Sequence, residues 1–297
     1  MANPNCELDL VNLCISLRVM RQTDLPFADA VRALAGWNQT LDDWRRFLAM
    51  EPEGCYLAEW NGQSAGTATT IVYGPMVAWI GMVLVHPDHR RRGVGSALLK
   101  RCIEYLRERG VRSIKLDATP AGKRVYDGLG FKDEWPLARW ERTSPRPQPA
   151  RPDARIRAWR ESDARLVDRL DTAAFGACRL RLLQALVPQS RCALVFEAAP
   201  GQIDGYGLMR KGARACYLGP VAATSTEAGL SLVEALVSRC EGEMVFWDIP
   251  DANTAAVEWA RQRGFTLQRP LIRMYLGENA APSDPRKQFA LAGPEVG

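Results

Sequence analysis

A chain of 297 residues, 47% hydrophobic and 25% charged, has room for two ordinary domains and the makeup of a globular protein. Its formal charge of +5 is mild and its lysines and arginines are spread along the sequence, which argues against a nucleic-acid binder. No stretch approaches the roughly 18 uninterrupted apolar residues of a membrane-spanning helix, so no membrane partner is expected.

In chain order, apolar–polar alternation predicts a strand near 15–20, and helical periodicity predicts helices near 24–35 and 41–50. Segments 55–60 and 65–73 flank Asn61-Gly62, a hairpin turn signal because both residues tolerate positive φ. A further apolar strand is expected at 77–85. An amphipathic helix follows at 95–109, with Leu98, Cys102, Tyr105 and Leu106 as its buried stripe and Gly110 as its stop. A strand near 114–117, a helix near 121–129 and a closing pair of strands near 131–135 and 139–141 complete the half. The fold class is therefore α/β, a mixed sheet with helices on its faces.

Residues 143–153 carry Pro145, Pro147, Pro149 and Pro152, and read as an extended linker. The same opening recurs on either side of it. Leu17-Arg18-Val19-Met20-Arg21-Gln22-Thr23-Asp24 parallels Ile156-Arg157-Ala158-Trp159-Arg160-Glu161-Ser162-Asp163, and both halves close on a helix ending in Gly-Phe, at Gly130-Phe131 and Gly264-Phe265. The sequence reads as a divergent tandem repeat: a first domain over 1–143, a linker over 144–153, and a second domain with a C-terminal tail over 154–297.

The informative segment is Val83-Leu84-Val85-His86-Pro87-Asp88-His89-Arg90-Arg91-Arg92-Gly93-Val94-Gly95-Ser96, which joins a strand to a helix. A helix start presents unpaired backbone N–H groups and partial positive charge. Gly93 and Gly95 let a phosphate approach the backbone, and Arg90, Arg91 and Arg92 add charge, so the segment suits a pyrophosphate.

This segment resembles the cofactor motif of the GNAT family of N-acetyltransferases, Gln/Arg-x-x-Gly-x-Gly/Ala, with Arg90, Gly93 and Gly95 at the defined positions. The resemblance implies acetyl-CoA as co-substrate. The backbone of Val83, Leu84 and Val85 would pair with the pantetheine arm, while Arg91, Arg92, Gly93, Val94, Gly95 and Ser96 wrap the pyrophosphate. A second family signature, a tyrosine five residues before a helix-ending Gly-Phe, is matched by Tyr126-Asp127-Gly128-Leu129-Gly130-Phe131. In the family such a tyrosine serves the departing CoA thiolate, which makes Tyr126 the candidate acid. The asparagine common seven residues earlier, which bears on contacts along the pantetheine arm, is Thr119 here.

The general base is less legible. The strand 77–85 contains no carboxylate, leaving Asp117, at the end of the next strand, and Glu59 as candidates, with a water chain as the alternative. Asp24, Asp29, Asp42 and Asp43 lie on the helices that usually border the acceptor groove; they hint at a cationic acceptor, but a solvated acidic face is the preferred reading. His86 and His89 read as loop residues.

In the second half, the strand near 216–221 leads into the helix near 227–240 through Ala222-Ala223-Thr224-Ser225-Thr226, without arginine or Gly-x-Gly and with Glu227 at the helix entry. Asn253 and Ala256 keep the family pattern Asn-x-x-Ala-x-x-x-Tyr, but the tyrosine position is Ala260. This half resembles a degenerate acetyltransferase domain. Phe289-Ala290-Leu291-Ala292-Gly293 is apolar enough to dock back onto the body.

Eight cysteines form no Cys-x-x-Cys pair and the two histidines cannot build a histidine metal site, so the expectation is free thiols, no metal and a cytoplasmic protein. The resemblance implies transfer of an acetyl group to a primary amine of a small molecule or peptide. Against it stand an acetyl-CoA sensor without turnover and a scaffold role. Nothing in the sequence names the acceptor or decides whether the chain forms a homodimer.

Overall fold

The computed structural model describes residues 14–143, 153–240 and 242–297; most of the proline-rich linker lies outside them. Contacts divide the chain into two compact units, one ending at Ile114 and joined by Val296, the other running from Lys115 to Glu295 with Gly297. These units follow contacts and do not coincide with the sequence repeat.

In the first unit, β1 (Ile15–Val19), β2 (Tyr56–Trp60), β3 (Gln63–Val72) and β4 (Val77–Val85) form an antiparallel meander in that order. The β2–β3 turn is Asn61-Gly62, with φ of 50° and 78°. Helices α1 (Leu25–Leu34) and α2 (Leu41–Met50) connect β1 to β2. Helix α2 starts on a capping box, with the Thr40 amide donating to Asp43 at 2.7 Å. Helix α3 (Val94–Glu108) buries Leu98, Cys102, Tyr105 and Leu106, the stripe its periodicity announces.

The second unit holds β5 (Ser113–Ala118), the strand in which the chain passes out of the first unit, and α4 (Pro120–Gly128). Strand β6 (Lys132–Thr143) ends the first repeat. The second repeat supplies β7 (Ile156–Ala158), α5 (Ala164–Phe175), α6 (Leu180–Leu186), β8 (Ser190–Ala199) and β9 (Gln202–Arg210). These are followed by β10 (Cys216–Ala223), α7 (Thr226–Val237), β11 (Met244–Pro250), α8 (Thr254–Gln262), β12 (Thr266–Gly277) and β13 (Gln288–Ala290). Alternation along the strands gives this sheet two cores: Val221 packs with α7 and α8, its neighbour Ala222 with α5 and α6.

The strand order here is β5-β12-β6-β11-β10-β9-β8-β7. The closing pair expected at the end of the first repeat is instead one long strand, β6, whose partners both come from the second repeat. Residues 137–143 pair with β11 on one side, and residues from Lys132 to Glu141 pair with β12 on the other. Strand β12 lies between β5 and β6, so each repeat lends to the other the strand that follows its Gly-Phe helix end, β6 from the first and β12 from the second. Local alternation cannot reveal this, because a borrowed partner satisfies a strand as well as a sequential one.

Buried charges mark the exchange. Trp135-Pro136-Leu137-Ala138-Arg139 corresponds in the repeat to Arg269-Pro270-Leu271-Ile272-Arg273. Arg139 on β6 donates to both oxygens of Asp248 on β11, at 2.7 and 2.6 Å. Arg273 on β12 donates to both oxygens of Asp117 on β5, at 2.9 and 3.0 Å. Each pair therefore joins one repeat to the other. Removing one member of a buried pair leaves an uncompensated charge, at a cost of about 3–5 kcal/mol, whereas replacing both by apolar groups costs little. Arg273→Met is thus expected to lower unfolding stability by that amount in urea titrations, and adding Asp117→Leu should recover most of it.

The repeat is also visible at each half's entry. Arg18 binds Glu59 and Asp24, each at 2.8 Å, while Arg157 binds Glu197 at 2.6 Å and Asp163 at 2.7 Å. The arginine hydrogen bonds hold both aspartates below the usual carboxylate range.

Candidate active site

Strand β4 is not regular. Thr67 of β3 faces Leu84, but Thr69 faces Gly81, so β4 spends one extra residue there. The bulge places Met82 at φ 50°, and the buried Thr67 hydroxyl holds it by donating to the Met82 carbonyl at 2.9 Å. A bulge bends a strand and re-aims the backbone beyond it, here that of Val83, Leu84 and Val85. The composition of the strand hides this feature; its signal is the Gly81-Met82 pair, repeated in the second half as Gly219-Pro220.

After β4 a short turn, Pro87–His89, is capped by His86, whose Nδ1 accepts from the Asp88 amide at 3.4 Å. His86 thus shapes the loop, as its sequence context suggests. Arg90, Arg91, Arg92 and Gly93 are exposed, and α3 begins at Val94, which is buried and anchors the helix. Arg91 and Gly93 both have positive φ, 62° and 81°. Left-handed residues just before a helix turn backbone N–H groups into a concave anion cradle, and the helix dipole adds to it. Gly95 and Ser96, in the first turn, stay half-buried.

Two further contacts fix the loop. The Arg90 Nε donates to the Val85 carbonyl at 3.2 Å, and the Arg92 guanidinium stacks over the Trp60 ring, 5.2 Å from its centre. Gly66 allows α3 to seat closely: a Cβ there would approach the Leu84 carbonyl to 2.7 Å and Val94 and Leu98 to 3.2 Å. The helix start is therefore aimed at the end of β4 by packing.

In the other unit, Tyr126 stands on α4, whose N-cap is Thr119, accepting from the Gly122 amide at 3.2 Å. The helix stops at Gly130 (φ 90°), where the Phe131 amide returns to the Tyr126 carbonyl at 3.1 Å, and the two rings meet edge to face. Tyr126 is half-buried in surface terms, yet burial of its hydroxyl pushes its pKa up to about 12. That hydroxyl has no hydrogen-bond partner among the described residues.

The carboxylates singled out in the sequence are all engaged. Asp117 is buried with both oxygens on Arg273; burial pushes its carboxyl up and the guanidinium pulls against that. Glu59 accepts from Arg18 and, at 3.2 Å, from Ser16. Asp24, Asp29, Asp42 and Asp43 are each ion-paired to an arginine, Arg18, Arg32, Arg45 and Arg46 respectively. Their charge is neutralised locally. Among the described residues, no helix is long and apolar enough to cross a membrane, and no group of three or more histidine, cysteine or acidic side chains could hold a metal.

The sequence pattern of the family described as Acetyltransferase (GNAT) family matches residues 22–131, and that of the Acetyltransferase (GNAT) domain matches residues 167–290. The chain belongs to the GNAT acetyltransferases. It carries two GNAT domains in tandem, and it is an acyl-CoA N-acyltransferase with an amine as acceptor. The uncharacterized N-acetyltransferase YitH of Bacillus subtilis (strain 168) is 26% identical over 264 residues, which is 89% of this chain and 92% of that one. A Pyrococcus horikoshii protein assigned as an acetyltransferase shares the fold, with a TM-score of 0.82 at 23% identity over 95% of this chain and 96% of its own. A tandem GNAT protein from the clavulanic acid biosynthesis pathway aligns with a TM-score of 0.65 at 17% identity, over 91% of this chain and 100% of its own.

Within this GNAT chain the two strand-to-helix loops differ sharply. The first offers three arginines and left-handed backbone. The second, between β10 and α7, offers Thr224 and Ser225, whose hydroxyl caps the helix by accepting from the Ala228 amide at 3.2 Å. Glu227 in the first turn of α7 adds negative charge, partnered by Arg155 at 2.7 Å.

Proposed function

We propose that the first repeat transfers an acetyl group from acetyl-CoA to a primary amine of a small molecule or peptide, and that the second repeat is catalytically silent. The observation that carries this reading is the loop at 90–96. Its positive-φ backbone at Arg91 and Gly93, its exposed arginines and the start of α3 make an anion site at the end of a bulged strand. The pyrophosphate binds there, and the pantetheine arm runs along the backbone of Val83, Leu84 and Val85. The amine attacks the thioester carbonyl in a ternary complex, and Tyr126 gives its proton to the departing CoA sulfur. A site for the charge-bearing cofactor and a neutral tyrosine favour turnover over a sensor or scaffold role.

No side-chain base is assigned. Asp117 is closed by Arg273 and Glu59 by Arg18, so the amine proton leaves through water. The silence of the second repeat rests on the uncharged loop before α7 and on Ala260, fully buried where the first repeat has Tyr126.

Calorimetric titration with acetyl-CoA tests the cofactor site. Gly93→Val is expected to abolish measurable binding, because a β-branched residue at φ 81° is strained and its side chain blocks the cradle. Its thermal midpoint, read alongside, separates this from unfolding. Arg92→Ala should weaken binding more modestly by removing one charge. Full affinity in a folded Gly93→Val chain would place the cofactor elsewhere.

A further inference from the structure

In the second repeat, the parallel strands β10 and β11 pair only from Cys216 to Leu218 against Val245 to Trp247. Beyond that point each is bonded to a third strand, the tail strand β13. Val221 and Ala222 pair with Ala290 and Gln288, and the Ala223 amide donates to the Lys287 carbonyl at 3.1 Å. On the other side, the Leu291 amide donates to the Asp248 carbonyl at 3.0 Å. Side chains also read the tail backbone: the Tyr217 hydroxyl donates to the Leu291 carbonyl at 3.3 Å, and Arg210 donates to the Ala292 carbonyl. Trp247 Nε1 donates to the Phe289 carbonyl at 2.8 Å, and Asn253 Nδ2 donates to the carbonyls of Arg286 and Gln288, both at 3.1 Å.

The fit is close as well as hydrogen-bonded. Phe289, Ala290, Leu291 and Ala292 are buried. A Cβ on Gly229, in the second turn of α7, would collide with the Phe289 ring, and one on Gly219 would collide with the Leu291 carbonyl. The tail thus covers both the bulged strand and the beginning of the following helix.

The internal repeat says what this wedge is. Ile80-Gly81-Met82-Val83-Leu84-Val85 of β4 corresponds to Leu218-Gly219-Pro220-Val221-Ala222-Ala223 of β10. Each strand carries a one-residue bulge within one position of the same place, in β4 between Gly81 and Leu84 opposite Thr69 and Thr67, and in β10 between Leu218 and Val221 opposite Met209 and Gly207. The backbone that the proposed function gives to acyl-CoA in the first repeat is, in the second, already paired with the chain's own tail. An acyl-CoA arm and a peptide are both extended chains carrying amides, so one strand edge with one carboxamide side chain can read either. The loop before α7 lacks the positive charge that would favour the nucleotide end.

We infer that residues 286–292 occupy the cleft of the second repeat that corresponds to the acyl-CoA cleft of the first, which makes it a peptide cleft closed by its own tail. The identity of the first cleft rests on the proposed function; the occupancy of the second does not.

Hydrogen exchange on the full-length chain, with and without saturating acetyl-CoA, tests this. The amides of Ala223 and Leu291 are expected to exchange slowly in both states, at the same rate. In Gly229→Leu, where the new side chain meets Phe289, both should exchange roughly ten- to a hundredfold faster, as overpacking a fitted contact predicts. Acetyl-CoA titration of that variant should be unchanged, because Gly229 lies outside the 90–96 loop. Exchange at unstructured-peptide rates, a change in either amide on adding acetyl-CoA, or unaltered exchange in Gly229→Leu would each overturn the inference. If acetyl-CoA binds nowhere, the proposed function fails, and the amides and the variant still decide the tail.

Discussion

Tyr126→Phe is expected to lower kcat by about 100- to 10,000-fold, the usual contribution of a positioned general acid, with acetyl-CoA affinity nearly unchanged. The hydroxyl is the only group removed. The ring keeps its edge-to-face contact with Phe131, and the helix stop at Gly130 uses the Tyr126 backbone, so folding stability should not move. With its pKa pushed up to about 12, the phenol keeps its proton throughout the physiological range and acts as a donor. This acid is lost only as pH rises towards that value, so Tyr126 should impose no fall in kcat between neutrality and about pH 10. Single-turnover measurements of free CoA formation check the effect, because slow product release would mask it at steady state. An unchanged single-turnover rate would remove Tyr126 from the mechanism.

Much of the chain's organisation was legible because it is local. Alternation and helical periodicity place β4 at Val77–Val85, and α3 within a residue of its expected bounds. The repeated opening marks two equivalent entries, and the structure shows the same ion pairs holding both, Arg18 with Asp24 and Arg157 with Asp163. What escaped was non-local. Asp117 looks available at the end of a strand, and only the exchange of β12 shows that Arg273, 156 residues away, closes it. The bulge at Met82 depends on a hydroxyl from β3. The apolar run at 289–293 announces that it will dock somewhere, and the wedge that receives it exists only when β10 and β11 have parted. Positions with partners far along the chain carry no periodic signature of them.

The strand exchange leads to the largest expected effect on folding: residues 151–297 expressed alone should show no cooperative unfolding transition. Such a chain matches the second domain as its sequence marks it off, yet it lacks both β5 and β6. Strand β11 loses its β6 partner along all seven of its residues, keeping only the short pairing with β10, and β12 loses both neighbours. Trp140, part of the apolar cluster under α7 and α8, is gone as well. Asp248 and Arg273 remain buried, without Arg139 and Asp117. Each stranded charge costs about 3–5 kcal/mol, and two of them consume most of a domain stability of about 5–15 kcal/mol. A chain starting at residue 113 restores both strands and both partners, and should unfold in a single transition in urea. Circular dichroism on the two fragments, with size-exclusion chromatography to report aggregation, makes the comparison. Cooperative unfolding of 151–297 would show that the borrowed strands are dispensable. Failure of both fragments would show that the second unit also needs the first; only folding of the longer fragment with failure of the shorter isolates the borrowed strands. That contrast also decides which fragment can test acetyl-CoA binding by the second repeat, since absence of binding in a chain that does not fold says nothing about its cleft.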